Sequence, residues 1–334
     1  MTAQAGGNPH RIVPDESVTG ARRAERRRAR RRALAARRRN ALIVLAAVAF
    51  LAGVVAGAGG DDGATGREQA ERSPAAELPG GGRRIIPGRH VVALYGAPQD
   101  AELGALGIGS PDAAARRLQR QTRAYRARDT KELPAMELIA VVANRAAGAD
   151  GRYRTRLDDA VIGRYLRAAR KIGAILVLDI QPGRSDFLAE ARSLRRWLAE
   201  PDVSLALDPE WRMEQGQIPG EVIGSVSAQE VNSVARWLSA QMRRERLPQK
   251  LLVVHQFTRN MVRGRDSLER PPGVMPVLNV DGFGDRAQKE AKYRELSQRR
   301  LPNGFKLFYE EDRGLMTPRA VEALSPLPQF VVYE

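Results

Sequence analysis

No cysteine occurs among the 334 residues. That excludes a disulfide framework and the lipid-bearing cysteine of a lipoprotein, so the fold must stand on its core alone. Histidine is scarce as well: His10, His90 and His255 are the only three, and neither H-E-x-x-H nor H-x-H is present. No metal and no cofactor is therefore expected; a mixed site of His255 with Asp179, Asp208 and Asp281 is the alternative. The G-x-S-x-G of serine hydrolases is missing, since "GIGSP" and "IGSVS" depart from it. "GALGIGS" is not the G-x-G-x-x-G of a dinucleotide-binding turn. No repeat of the solenoid kind is visible.

What is abundant is arginine at one end. Formal charge is 55 minus 39, or +16, and residues 1–40 contribute twelve Arg against Asp15, Glu16 and Glu25. The run "ARRAERRRARRRALAARRRN" ends at Asn40, and "ALIVLAAVAFLAGVVAGAGG" follows over 41–60 without a charge. Roughly twenty apolar residues at about 1.5 Å rise cross a hydrocarbon core of about 30 Å. Arg before the span and Asp61-Asp62 after it predict a single-pass membrane protein, amino terminus in the cytoplasm and the remainder outside. Ala56-Gly57-Ala58 resembles a signal-peptide cleavage site, so secretion after cleavage is the alternative. Topology accounts for the Arg run, and no nucleic-acid partner is expected. Residues 61–88, rich in Gly, Pro, Ala and charge, read as a flexible linker. The domain reading is thus a tail over 1–40, an anchor over 41–60, a linker over 61–88 and a folded domain over 89–334.

In that domain, short apolar runs alternate with helical patterns, the signature of βα units around a parallel sheet. Eight runs read as strands: 90–96, 136–144, 174–181, 203–210, 251–257, 275–283, 304–310 and 330–334. Between several of them lie amphipathic stretches such as "DDAVIGRYLRAARKIG" and "SAQEVNSVARWLSAQMRRER". Ser185 and Ser227 stand where N-caps belong and Gly173 where a helix stops. Eight strands in about 250 residues predict a (β/α)₈ barrel of the TIM type. A doubly wound open sheet is the alternative.

Active sites of such barrels lie at the carboxyl ends of the strands. Polar residues gather there: Tyr95, Asp179 and Gln181, Asp208 and Glu210, His255 and Gln256, Asn279 and Asp281, Lys306 and Tyr309. In "VSLALDPEW", period two puts Ser204, Ala206, Asp208 and Glu210 on one face and Val203, Leu205 and Leu207 on the other. Small residues suit a barrel interior, so both acids are expected to face the mouth. Each residue alone has a structural explanation: Asp208 as a turn or cap, His255 as a satisfied core histidine, Lys306 as an ion-pair partner, and the aromatics as packing. Their coincidence at one rim predicts a polar pocket.

Carboxylates beside aromatic rings suit glycoside hydrolysis. Glu210, between Asp208 and Trp211, is the expected general acid, its pKa raised by the neighbouring charge and ring. Asp208 supports it, and Asp281 or Asp179 serves as nucleophile, base or substrate orienter. Tyr95, Gln181, Trp211, His255, Gln256, Lys306 and Tyr309 are the expected substrate contacts. The partner is a carbohydrate or another cell-envelope polymer. A barrel that binds envelope polysaccharide or protein without catalysis is the alternative.

"LALDPE" resembles the end of the strand-4 motif D-x-x-D-x-D-x-E of chitinase-like glycosidases, with Asp208 and Glu210 in its last two acidic positions. Val203 and Ala206 occupy the first two, so the resemblance does not imply that family's substrate-assisted mechanism. Residues 90–334, with "LDIQPG", "LDPEW", "VVHQFT", "VDGFG", "GFKLFY" and "MTP", resemble membrane-anchored (β/α)₈-barrel envelope proteins of high-GC Gram-positive bacteria. That resemblance implies the fold and the location and no particular reaction.

Overall fold

The computed structural model describes residues 75–98, 100, 103–125 and 130–334. The Arg-rich tail, the expected span over 41–60 and positions 61–74 of the linker lie outside the described residues. Among the described residues no helix is long and apolar enough to cross a membrane.

Eight parallel strands close on themselves. They are β1 (Arg89–Gly96), β2 (Lys131–Ala143), β3 (Ile175–Ile180), β4 (Val203–Leu207), β5 (Lys250–Gln256), β6 (Val274–Val280), β7 (Asn303–Leu307) and β8 (Phe330–Tyr333). Neighbours in sequence are neighbours in the sheet, and β1 closes the ring: Val91 pairs with Phe330 on one side and Leu133 on the other. The short strand Arg154–Arg156 adds antiparallel to the end of β2. The fold is the TIM-type (β/α)₈ barrel predicted from the strand count.

Helices cover the outside. They are α1 (Pro111–Arg123), α2 (Asp159–Lys171), α3 (Phe187–Ser193), α4 (Arg195–Leu198), α5 (Ala228–Glu245), α6 (Arg286–Leu296) and α7 (Pro318–Glu322). Between β5 and β6, two 3-10 turns at Arg259–Met261 and Arg265–Ser267 replace the α-helix. Ser227 caps α5 as its sequence predicts, its hydroxyl accepting the Glu230 amide at 3.2 Å. At α3 the cap is Asp186, whose carboxylate accepts the Ala189 amide at 2.8 Å, and not Ser185. Gly173 ends α2 with φ 67°, a left-handed value that a side chain disfavours.

Period two divides the strand residues between two cores. Outward positions such as Leu176, Leu178, Leu205, Leu207, Leu252 and Val254 meet Leu118, Phe187, Leu238 and Tyr293 under the helices. Inward positions such as Val91, Ala93, Leu133, Ala135, Val177, Ala206, Val253, Val277 and Val332 fill the barrel. A bulge in β2 between Ile139 and Val141 shifts that alternation by one residue.

The lower opening is closed by residues that composition assigns to the linker. Leu78, Ile85 and Ile86 are buried in the same inner cluster. The Gln249 side chain accepts the amides of Ile85 and Ile86 at 2.7 and 2.8 Å. The Arg83 guanidinium donates to the carbonyls of Arg246 and Leu247 at 2.9 Å. Residues 78–88 thus belong to the barrel floor, because their three aliphatic side chains are buried there in place of solvent exposure.

Candidate functional site

Every strand, or the residue that follows it, contributes a polar side chain to the interior towards the upper end of the barrel. These residues are Tyr95 (β1), Glu137 (β2), Asp179 (β3), Asp208 (following β4), His255 (β5), Asn279 and Asp281 (β6), Lys306 (β7) and Glu334 (following β8). All but Glu334 are buried. Burial on this scale obliges the groups to satisfy one another.

His255 is the hub. Its Nε2 lies 2.8 Å from Glu137 Oε1 and its Nδ1 lies 3.1 Å from Asp281 Oδ2. Burial opposes a charge on the ring, but the carboxylates of Asp281 and Glu137 outweigh it and raise the imidazole well above its ordinary range. The Asn279 amide donates to Asp281 Oδ1. Gly304 on β7 makes room for it, since a Cβ there would stand 2.3 Å from Asn279 Oδ1. Lys306 Nζ lies 2.8 Å from Glu334 Oε2, 3.7 Å from Asp281 Oδ2 and 3.6 Å above the Tyr95 ring. Burial works against the Lys306 charge; Glu334, Asp281 and Asp208 more than restore it and raise its pKa. Burial likewise favours the neutral form of Asp281, but Lys306 and His255 hold its pKa below the usual value.

The other side of the mouth is biased the opposite way. Tyr95 donates its hydroxyl to Asp179 Oδ2 at 3.0 Å, and Gln181 Nε2 reaches that hydroxyl at 3.4 Å. Burial pushes the Asp179 carboxyl up to about 6, against the pull of His255 and with a further push from Glu137. Burial and the adjacent Asp179 drive Asp208 well above the carboxylate range, and Glu210 adds to the shift. Burial and Asp179 also raise the Tyr95 phenol.

Of the residues singled out in the sequence, the structure brings together Tyr95, Asp179, Gln181, Asp208, His255, Asp281 and Lys306. Glu210 and Trp211 sit differently. The strand ends at Leu207 and a 3-10 turn spans Pro209–Trp211, because proline cannot continue the ladder, so the alternation that placed Glu210 beside Asp208 stops first. Both side chains are half-buried at the rim. Gln256 and Tyr309 lie outside the mouth. Gln256 follows His255 and so points outward, where its Nε2 reaches the Leu296 carbonyl at the end of α6 at 3.4 Å. Tyr309 lies beyond the end of β7, stacks on the outward-facing Tyr333 and bonds Gln121 of α1 at 2.9 Å.

The sequence reading missed Glu137. It opened the second strand at Met136 when the ladder begins at Lys131, which made Glu137 look like a residue of the opening end. The available signal was a single acid inside the apolar run "MELIAVVA". Glu137, Asp179 and His255 each offer one potential ligand atom, all within 4.8 Å of one another.

No family model and no curated protein matches the chain. Among solved structures the chain is similar to an oxaloacetate acetylhydrolase bound to the inhibitor 3,3-difluorooxalacetate, with 14% identity, 73% of this chain and 75% of that chain covered, and a TM-score of 0.41. It is also similar to a hyperthermophilic endo-beta-1,4-glucanase in complex with substrate, with 9% identity, 73% and 87% covered, and a TM-score of 0.40. Likenesses at this level say nothing of substrate or chemistry.

Proposed function

We propose that the barrel mouth is a hydrolytic acid–base site acting on a carbohydrate of the cell envelope. The observation that carries the reading is the convergence of polar side chains from all eight strands on one inner layer above apolar ones. A barrel that needed only stability would gain nothing from burying so many carboxyls. In this reading Asp208 donates a proton to the leaving oxygen, the role the sequence suggests for Glu210. Burial next to Asp179 suits Asp208 to that role, while Glu210, half-buried on the following turn, is the second carboxylate at the rim. Trp211, half-buried at the rim, offers aromatic surface for a sugar ring. Glu210 takes a proton from water as its hydroxyl adds to the anomeric carbon, the glycosidic bond breaks with the Asp208 proton going to the leaving oxygen, and the proton held by Glu210 returns through solvent to Asp208.

The test is a screen of wall and capsule oligosaccharides for new reducing ends, with wild type, Asp208→Asn and Glu210→Gln side by side. Release by wild type and its loss in Asp208→Asn is the expected result. Binding by all three forms without release would make the barrel a binding module.

The same proposal puts the barrel outside the membrane on a single-pass anchor, and the Arg run before twenty uncharged residues supports it. Protease added to intact spheroplasts is expected to digest the barrel; protection until lysis would contradict the topology.

A further inference from the structure

We propose that Glu137, Asp179 and His255 bind one divalent cation of borderline hardness, zinc or manganese, through a carboxylate oxygen from each acid and Nε2 of the histidine. The inference goes beyond the carbohydrate reading and does not require it.

Three features converge. The first is placement: β2, β3 and β5 bring the three side chains inward at one level, and their ligand atoms lie within 4.8 Å of one another. Oxygen and nitrogen atoms around a zinc ion, each about 2.0–2.2 Å from it, stand about 3–4 Å apart, so small side-chain shifts close the site.

The second is unmet bonding capacity. Glu137 and Asp179 are fully buried, yet Glu137 Oε2 and Asp179 Oδ1 have no hydrogen-bond partner. Leaving buried carboxylate oxygens without a partner is costly, and each residue already uses its other oxygen, on His255 and Tyr95 respectively. One divalent cation can take an oxygen from each acid and so relieve both buried carboxylates at once.

The third is the support behind the histidine. Its Nδ1 faces Asp281 at 3.1 Å, and Asp281 is itself fixed by Asn279 and Lys306. A carboxylate on the far nitrogen is the arrangement that orients imidazoles toward metals. It leaves Nε2 aimed at Glu137. When the ion binds, the Nε2 proton leaves to solvent and the ion takes its place between His255 and Glu137. Three protein ligands leave a coordination position for a water or a substrate oxygen.

The experiment uses the full chain stripped with a chelator. Titration calorimetry with zinc chloride, and separately with manganese chloride, is expected to give one ion per chain. Glu137→Gln and Asp179→Asn are expected to weaken binding at least tenfold, and Asp281→Asn about 10- to 100-fold, as loss of an orienting carboxylate does. X-ray absorption of the zinc-loaded wild type is expected to show one imidazole nitrogen with oxygen ligands at about 2.0–2.2 Å. That spectrum decides the matter even where a variant fails to fold. Absence of binding at millimolar metal, a spectrum without imidazole, or unchanged affinity in folded Glu137→Gln would each overturn the proposal.

Discussion

At the floor of the barrel, Leu78, Ile85 and Ile86 close over Val91, Leu133 and Phe330, and at the same end Lys250, the first residue of β5, donates to two backbone carbonyls with Asp202, Glu245 and Glu200 acting on its charge. At the mouth, one polar layer holds Glu137, Asp179, Asp208, Asp281 and Glu334 against His255 and Lys306. Among the described residues the lower end holds a single buried amine, which burial biases towards its neutral form. The mouth buries more acids than bases, and burial, reinforced by neighbouring carboxylates, biases Asp179 and Asp208 toward protonation beside an Asp281 held ionised. A region built for stability resembles the floor; a region with the imbalance of the mouth retains it for chemistry.

The largest effect is expected at the floor. A chain starting at residue 75 keeps Leu78, Ile85 and Ile86, and one starting at Pro87 loses all three. At about 1.5–3 kcal/mol for each fully buried aliphatic side chain, the shorter chain is expected to be less stable by on the order of 5 kcal/mol in urea unfolding. Equal stability of the two would remove the floor from the account.

A pH experiment probes the floor's buried charge. Lys250 donates to the carbonyls of Glu200 and Val203 at 2.7 and 2.6 Å, yet burial pulls its pKa down to about 7. Above that value and below the ordinary lysine pKa, the unfolded chain holds a proton that the folded one has released, so stability rises with pH across this window. Lys250→Met is expected to flatten the rise, by at most about 1.4 kcal/mol per pH unit for one proton. An unchanged slope would mean that Lys250 stays charged in the fold.

The mouth is expected to respond with the opposite sign to an amide substitution. Asp208 has a raised folded pKa, so its contribution to stability is present at low pH and lost as pH rises through that value. Asp208→Asn, measured without added divalent ions, is expected to match wild type near pH 4 and to exceed it at pH 8 by on the order of 1 kcal/mol. Loss of stability at pH 8 would show that the Asp208 carboxylate is well paired, and would erase the contrast with the floor.

The fold was readable because each of the eight strands carries its own apolar run, and because the inner and outer faces differ in size: Ser204 and Ala206 inside, Leu205 and Leu207 outside. Much of the mouth was readable for the same reason, since Asp179, His255, Asp281 and Lys306 extend that alternation to the rim. Three things were hidden. Strand ends are set by pairing, so Glu137 looked like an opening residue and Tyr309 like a mouth residue, while Gln256 stands at a strand end but alternation with His255 turns it outward. Pro209 ended β4 before Glu210, which no alternation rule anticipates. The floor residues Leu78, Ile85 and Ile86 stand among glycines and prolines, where composition outweighs three aliphatic side chains.

The central claim, that Asp208 donates a proton in the mouth, is most directly tested by comparing wild type and Asp208→Asn on two glycosides of the same sugar once a substrate is known. One carries an alcohol leaving group that needs protonation, and the other a dinitrophenolate that does not. Loss of a general acid is expected to slow the first by about 10²–10⁴-fold and the second far less. Equal loss on both, or no loss on either, would contradict the assignment.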